Sequence, residues 1–337
     1  MGKTVLYIGN KLSTSKNNPT THSSLEEGLK GEGFKVISAS ALKNKFLRLS
    51  HMLQVFFANY RRADYILIDV YSTQNFWYAV LLGRLSHSFS KKYIPILHGG
   101  DLKNRFRQTP GATSKLLGNA HRIISPSVYL KTEVENLGFS HVQYIPNPLR
   151  LNKYQFKKRE NFEPKLLWVR AFDEIYNPLL ALKTFRLLLK IYPEAELCMV
   201  GPYKDGSLAA ATKYVKKHSL PVKFTGKLKK KEWLKLSAVY DIFINSSSID
   251  NTPVSVIEAM ALGLPVISTN VGGIPFLIED GRTGLLVAPN DPEAMAKKIL
   301  SLVEDPEKGR FLAENGRAKT AEFDWEIIKI EWSKVLT

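Results

Sequence analysis

At 337 residues the chain is too long for a typical single domain and suits two domains of about 150 residues each. Its apolar fraction of 44% is ordinary for a globular protein, and no run of 18 apolar residues exists, so no transmembrane helix is expected. A net charge of +17 points to an acidic partner, whether nucleic acid, an anionic membrane face or a phosphorylated substrate, or else only to a soluble surface.

The first residues, MGKTVLYIGN, enter a strand at once, with no basic–apolar–cleavage pattern. Cys198 is the single cysteine, which fits a reducing, cytoplasmic compartment. The first half then alternates strand and helix. Strands are expected over 5–8, 35–38, 65–70, 93–97, 122–124 and 142–145, and helices around 25–29 and over 41–62, 76–85 and 128–137. The strand over 93–97 ends in His98-Gly99-Gly100-Asp101, followed by a loop over 100–113. Pro146-Asn147-Pro148 breaks the alternation, and a charge-rich stretch to Lys165 follows. Strands resume over 166–169, 196–200, 222–224 and 240–247, with helices over 179–191, 208–218 and 231–238 between them. Three helices close the chain, over 292–303, 306–320 and 324–336.

Short apolar strands alternating with amphipathic helices predict α/β architecture with parallel sheets covered on both faces. The expected domains are 1–148 and 149–320, each doubly wound and Rossmann-like, with 321–337 packing back toward the first. Ligands of such sheets bind beyond the strands' carboxyl ends, so two facing edges predict a central cleft.

Residues 246–273 are the most informative stretch. After an apolar strand, Thr252-Pro253 reads as a helix start, with Thr as N-cap and Pro at the first helical position; Gly263 and Pro265 end the helix. Asp250 precedes this helix and Glu258 lies within it. Eight helical residues span about 12 Å, wider than the roughly 5–9.5 Å of a glycosidase pair. Two acids so placed suit two parts of one long ligand. Equally, Asp250 reads as a turn former and Glu258 as a solvated helix residue. Glu258, however, interrupts the run Val254 to Leu262, where a half-buried acid needs a partner such as a ribose diol.

Arg170 ends the strand LLWV, where an always-charged fork suits a pyrophosphate; a surface pair with Asp173 or Glu174 is the alternative. His98 stands before two glycines that permit close backbone approach, or is a satisfied strand-end histidine. The helix over 41–62 carries Leu42, Phe46, Leu49, Leu53, Phe56 and Tyr60 at helical spacing among Lys43, Lys45, Arg48, Arg61 and Arg62. Such a helix packs on the sheet, with Leu47, Phe57 and the cations left to touch an anionic membrane. Gly9 opens no glycine-rich fingerprint, and the seven histidines show no metal spacing, so neither a cofactor nor a metal is expected.

Asp250-x7-Glu258 with AMALGLPVISTNVGGIPFLIEDGRTGLLV resembles the C-terminal signature of the family 4 retaining glycosyltransferases, the glycosyl transferases group 1, which have the GT-B fold. ILHGG (96–100), SPS (125–127), IPNPL (145–149), VGP (200–202) and VKFTGKL (222–228) follow in that family's order, so the resemblance spans essentially the whole chain. It implies that Glu258 binds the ribose hydroxyls of a nucleotide. Asp250 with Asn251, Thr252, Pro253 and Val254 holds the donor sugar and phosphate, and Arg170 neutralises the pyrophosphate. Gly201, Lys227 and Leu228 lie along the nucleotide, and His98 stands beside the transferred sugar. On the acceptor side it implies Thr20, Thr21, Gly99, Gly100 and Asp101. Three departures stand out: the first acid is Asp250 rather than Glu, Tyr176 occupies the region where the family's Arg-x4-Lys places its lysine, and Pro19-Thr20-Thr21 replaces a Gly-Gly loop.

The expected activity is metal-independent, retaining transfer from a nucleotide sugar to a sugar or lipid-linked hydroxyl, in polysaccharide or glycolipid synthesis, in the cytoplasm or at the inner membrane face through residues 41–62. A nucleotide-sugar epimerase of the same fold is the enzymatic rival. A nucleic-acid binder is the non-enzymatic one, but the cations are spread along the chain, apart from local groups such as 227–231.

Overall fold

The computed structural model describes residues 2–11, 20–42 and 44–337. The chain forms two compact units: Met1–Arg150 with Glu322–Thr337, and Leu151–Ala321.

Unit 1 runs β1 (Thr4–Ile8), α1 (Thr21–Gly31), β2 (Lys35–Ala39), α2 (Lys45–Asn59), β3 (Tyr65–Val70), α3 (Asn75–Ser88), β4 (Tyr93–Leu97), α4 (Leu102–Gln108), α5 (Pro110–Leu117), β5 (Ile123–Ser125), α6 (Val128–Glu135) and β6 (Val142–Tyr144). Its strands form one parallel sheet in the order β2-β1-β3-β4-β5-β6, so the order reverses beside β1. β3 and β4 are buried at every position, as strands covered on both faces must be.

Unit 2 runs β7 (Lys165–Val169), α7 (Pro178–Leu188), β8 (Glu196–Val200), α8 (Ser207–Lys217), β9 (Val222–Gly226), α9 (Lys230–Ser237), β10 (Ile242–Asn245), α10 (Val254–Ala261), β11 (Val266–Thr269), α11 (Ile274–Leu277), β12 (Leu285–Val287), α12 (Pro292–Glu304) and α13 (Pro306–Lys319). Its sheet is also parallel, β12-β11-β10-β7-β8-β9, reversing beside β7. The core gathers Trp168, Phe172, Phe185, Ile242 and Ile244 with Met295 and Ile299 of α12.

The chain then returns to unit 1 as α14 (Trp325–Val335). Trp325, Ile328, Trp332, Val335 and Leu336 join Val5, Tyr7, Leu25 and Leu29 in one buried cluster. Each such side chain is worth about 1.5–3 kcal/mol, so α14 is part of the core of unit 1.

Five expectations need correction. The helix expected over 41–62 is only Lys45–Asn59, because the Asn44 side chain accepts from the Phe46 and Leu47 amides and caps it there. Its buried face is Arg48, Met52 and Phe56; Leu42 and Phe46 point to solvent instead. Arg48 is no surface cation, since its guanidinium donates to the Leu42 carbonyl and to Asn10. Most of the loop expected over 100–113 is helical, in α4 and the start of α5, where Leu102 and Phe106 bury their side chains. Finally, Pro253, extended at φ −70°, ψ 113°, is the N-cap of α10 and not its first helical residue, which is Val254.

Candidate active site

In unit 2 the candidate residues collect where the sheet order reverses, between β7 and β10, the position at which an open α/β sheet leaves a crevice. Arg170 follows β7 and Asp250 follows β10. Arg170 Nη2 lies 2.5 Å from Asp250 Oδ2, and its guanidinium sits 3.9 Å above the Tyr176 ring. Arg170 therefore pairs across the crevice and not with its neighbours Asp173 or Glu174; Asp173 takes Lys204 instead. Asp250 also accepts from the Ser247 hydroxyl at 2.9 Å and the Asn251 amide at 3.0 Å. The charge-assisted bonds and near-complete burial fix both ends of the pair. Arg170 Nε remains buried without a partner.

The two loops are sewn together by backbone. The Ser246 hydroxyl donates to the Tyr176 carbonyl and the Ser248 amide to the Ile175 carbonyl. Gly201 lies against the same turn: a Cβ there would stand 1.7 Å from the Arg170 carbonyl oxygen, so only glycine fits. At the start of α10, Val254 is partly exposed, while Asn251 Oδ1 and Ser255 Oγ are buried and unpaired. The first-turn amides of a helix carry partial positive charge and suit an anion.

Glu258 stands one turn into α10 and makes no bond to the Arg170 pair. Its Oε1 accepts from the Tyr154 hydroxyl at 2.8 Å and contacts the Lys230 ammonium. The buried acid thus already has protein partners, the requirement that any buried charge must meet. Lys230 lies over the Tyr154 and Trp233 rings, and this burial pulls its ammonium down to about 7. Burial also pushes the Tyr154 phenol up. Lys227 and Leu228 lie in the turn between β9 and α9, ahead of Lys230.

Unit 1 has its own charged cluster at the corresponding reversal, between β1 and β3. Asp69 of β3 is buried. Its Oδ1 accepts from Tyr7 at 2.9 Å and lies 3.0 Å from His98 Nε2. Its Oδ2 lies 2.9 Å from His22 Nδ1 and 3.4 Å from the Tyr71 hydroxyl. Burial would raise the Asp69 carboxyl, but His98 and His22 beside it overcome this and hold it well below the usual range. Gly9 makes room: a Cβ there would stand 1.9 Å from Asp69 Oδ2. Gly99 packs on the Ser72 amide, Gly100 is open, and Asp101 accepts from Asn104 ahead of α4. Thr20 caps α1 through the Ser23 amide and Thr21 begins that helix. Pro19 and most of the loop over 13–21 lie outside the described residues.

Among the described residues, no group of three His, Cys, Asp or Glu side chains gathers to hold a metal, and no helix is long and apolar enough to cross a membrane. Asp69, His22, Tyr7 and Tyr71 are not apparent from motif reading. The signal for Asp69 was present, since an acid inside the apolar strand YILIDV needs a partner just as Glu258 does. Tyr154 was hidden in the charge-rich stretch after Pro148, and Lys230 in the run KLKKK.

Residues 152–319, nearly all of unit 2, match the family described as "Glycosyl transferases group 1". They form a glycosyl transferases group 1 domain. The chain is 31% identical over 150 residues to the sulfoquinovosyl transferase of Arabidopsis thaliana, covering 43% of this chain and 28% of that protein. It is 24% identical over 240 residues to the glycogen synthase of Mycobacterium tuberculosis, covering 68% of this chain and 57% of that one. The chain therefore spans less than two thirds of the length of either relative. Among solved structures, sucrose-phosphate synthase from Thermosynechococcus elongatus superposes with a TM-score of 0.81 at 19% identity, covering 99% of this chain and 98% of that chain. HepE of Anabaena, in complex with UDP-glucose, gives 0.78 at 18%, covering 99% of both. The fold is GT-B, with the group 1 domain as its second α/β unit.

Proposed function

We propose that the chain transfers a glycosyl group from a nucleoside-diphosphate sugar to an acceptor hydroxyl, with retention of anomeric configuration and without a metal. The Arg170–Asp250 pair at the head of α10, inside a group 1 domain, carries this reading. Departure of a nucleoside diphosphate leaves growing negative charge on the pyrophosphate. Arg170 and the first-turn amides of α10 meet that charge in a crevice that shields it from water, where preorganised donors count most. Asp250 holds the guanidinium in place and Tyr176 supports its face. Glu258, aligned by Tyr154 and Lys230, takes the ribose through its second oxygen. The acceptor is deprotonated by the leaving phosphate itself, so no protein nucleophile is required. HepE, solved with UDP-glucose, supports a nucleotide sugar as the donor class.

We also propose that the acceptor is lipid-linked and is met at an anionic membrane face. Residues 33–132 carry 15 Lys and Arg against three Asp and Glu. Phe46, Leu47, Phe57, Trp77, Leu81 and Phe89, all on or beside α2 and α3, are exposed within the same segment. The two helices touch where Tyr78 donates to the Lys45 carbonyl and where Tyr60 lies against Phe89. Apolar side chains ringed by cations complement an anionic bilayer surface and are costly to leave in water.

The deciding experiment is a thermal-shift screen of nucleoside-diphosphate sugars, followed by product analysis with and without acceptor. A true donor raises stability by mass action, by about 2.7 kcal/mol at 100 times its Kd. Transfer only when acceptor is present is the expected result. Isomerisation of the donor alone would establish an epimerase, and no stabilisation by any nucleotide sugar would overturn the reading.

A further inference from the structure

An ionised carboxylate can only accept hydrogen bonds. Asp69 therefore makes donors of every group that reaches it: the Tyr7 and Tyr71 hydroxyls, His22 Nδ1 and His98 Nε2. Both of its oxygens are occupied, and Gly9 and the His22 ring, stacked 3.7 Å from Tyr7, close the space around it. The carboxylate cannot turn away, and each imidazole is left with one protonation pattern in its neutral form. His22 carries its proton on Nδ1, which leaves a buried and unpaired lone pair on Nε2. His98 carries its proton on Nε2. Its Nδ1 has no partner among the described residues, and the side chain keeps 6% of its surface open.

We propose that Asp69 is the positioning residue for His98, locking the ring in the Nε2–H tautomer so that Nδ1 accepts a hydrogen bond from a ligand hydroxyl. The ligand is a polyol, met by an acceptor atom rather than by a donor. This rests on the glycosyl-transfer reading above. His22 and the two tyrosines act on Asp69 and touch no ligand.

The test combines nitrogen NMR of 15N-histidine protein at pH 8 with kinetics. His98→Gln identifies the His98 signals by their loss. The expected wild-type ring has a protonated Nε2 and an unprotonated Nδ1; the reversed tautomer, or a doubly protonated ring, overturns the proposal whether or not sugar is transferred. Asp69→Asn replaces the acceptor-only carboxylate by an amide that can donate as well as accept, so Nε2–H is no longer enforced and the proton is released to move to Nδ1. The expected kcat falls by about 10²-fold or more, with donor KM little changed. Tyr7→Phe removes a donor from the same carboxylate without touching His98, and is expected to keep the tautomer and lose less than about tenfold. Equal losses in both variants, or an Asp69→Asn enzyme that flips its tautomer at wild-type rate, would reduce Asp69 to a packing role. If Asp69→Asn does not fold, the wild-type spectrum still decides. A wild-type protein that transfers no sugar from any donor overturns the functional reading alone, and the spectrum again decides the tautomer.

Discussion

Arg170 and Asp250 are 80 positions apart in sequence, yet their side chains meet at 2.5 Å across the point where the second sheet reverses its order. The contact turns a flexible cation into a fixed one, because Tyr176 beneath and Asp250 beside it leave the guanidinium one orientation.

Arg170→Ala should therefore lower kcat by about 10²–10³-fold, the usual cost of losing one preorganised donor to a developing oxyanion. Arg170→Lys should recover little of this, since an ammonium can neither fork nor stack in the same way. Steady-state kinetics with the donor identified by thermal shift checks both; a lysine variant near wild-type rate would reject the fork argument.

Lys230 gives a pH prediction. Its ordinary value near 10.5 falls to about 7 in the folded protein. Between these values the unfolded chain binds more protons, so this group makes stability rise with pH from about 7 to about 10.5. Lys230→Met should lack that increment. The melting-temperature difference, wild type minus variant, should grow across the window. A difference that shrinks would mean that the Glu258 contact outweighs burial.

Gly9→Ala places a Cβ 1.9 Å from Asp69 Oδ2. Overpacking of this kind typically costs about 1–3 kcal/mol. The paired change Gly9→Ala with Asp69→Ala should cost less than the sum of the two alone, with a coupling of about 0.5–3 kcal/mol. Urea denaturation of the four proteins closes the cycle, and strict additivity would mean that the two positions do not touch.

On the surface of unit 1, Phe46→Ser with Phe57→Ser should abolish sedimentation with anionic vesicles while leaving the melting temperature nearly unchanged, because both rings are exposed. Wild type should bind anionic vesicles, lose binding with rising salt, and ignore zwitterionic ones. Equal recovery with both vesicle types, or none with either, would remove the membrane from the proposal.

The strands from β1 to β10 were legible in chain order because each is a short apolar run between turn signals, and strands buried on both faces need little else, whereas the three-residue β12 was not anticipated. The α4–α5 helices were not, since KNRFRQTPGATS offers polar and turn residues and only Leu102, Phe106, Leu116 and Leu117 supply a buried apolar face. The length of α2 was missed because hydrophobic periodicity continues through Leu42, while the Asn44 cap stops the helix. In the site, Asp250, Glu258 and Arg170 stood out as charged residues at strand ends or inside an apolar run. What sequence could not supply was pairing. Nothing local says that Arg170 reaches Asp250 rather than Asp173, or that Glu258 meets a tyrosine 104 positions earlier.

The return of α14 into the core of unit 1 bears on how the chain acquires its structure. Unit 2, Leu151–Ala321, is contiguous, and all of its residues have been synthesised before the last cluster of unit 1 is available. Trp325 and Trp332 arrive about 300 positions after the Val5 and Tyr7 strand that they cover. Until then the inner face of β1 and the Leu25–Leu29 side of α1 lack their lid. The earlier-made half of the molecule thus cannot complete its core until the chain's last helix has been made, and its closure depends on contacts of high sequence separation, the kind that forms slowly.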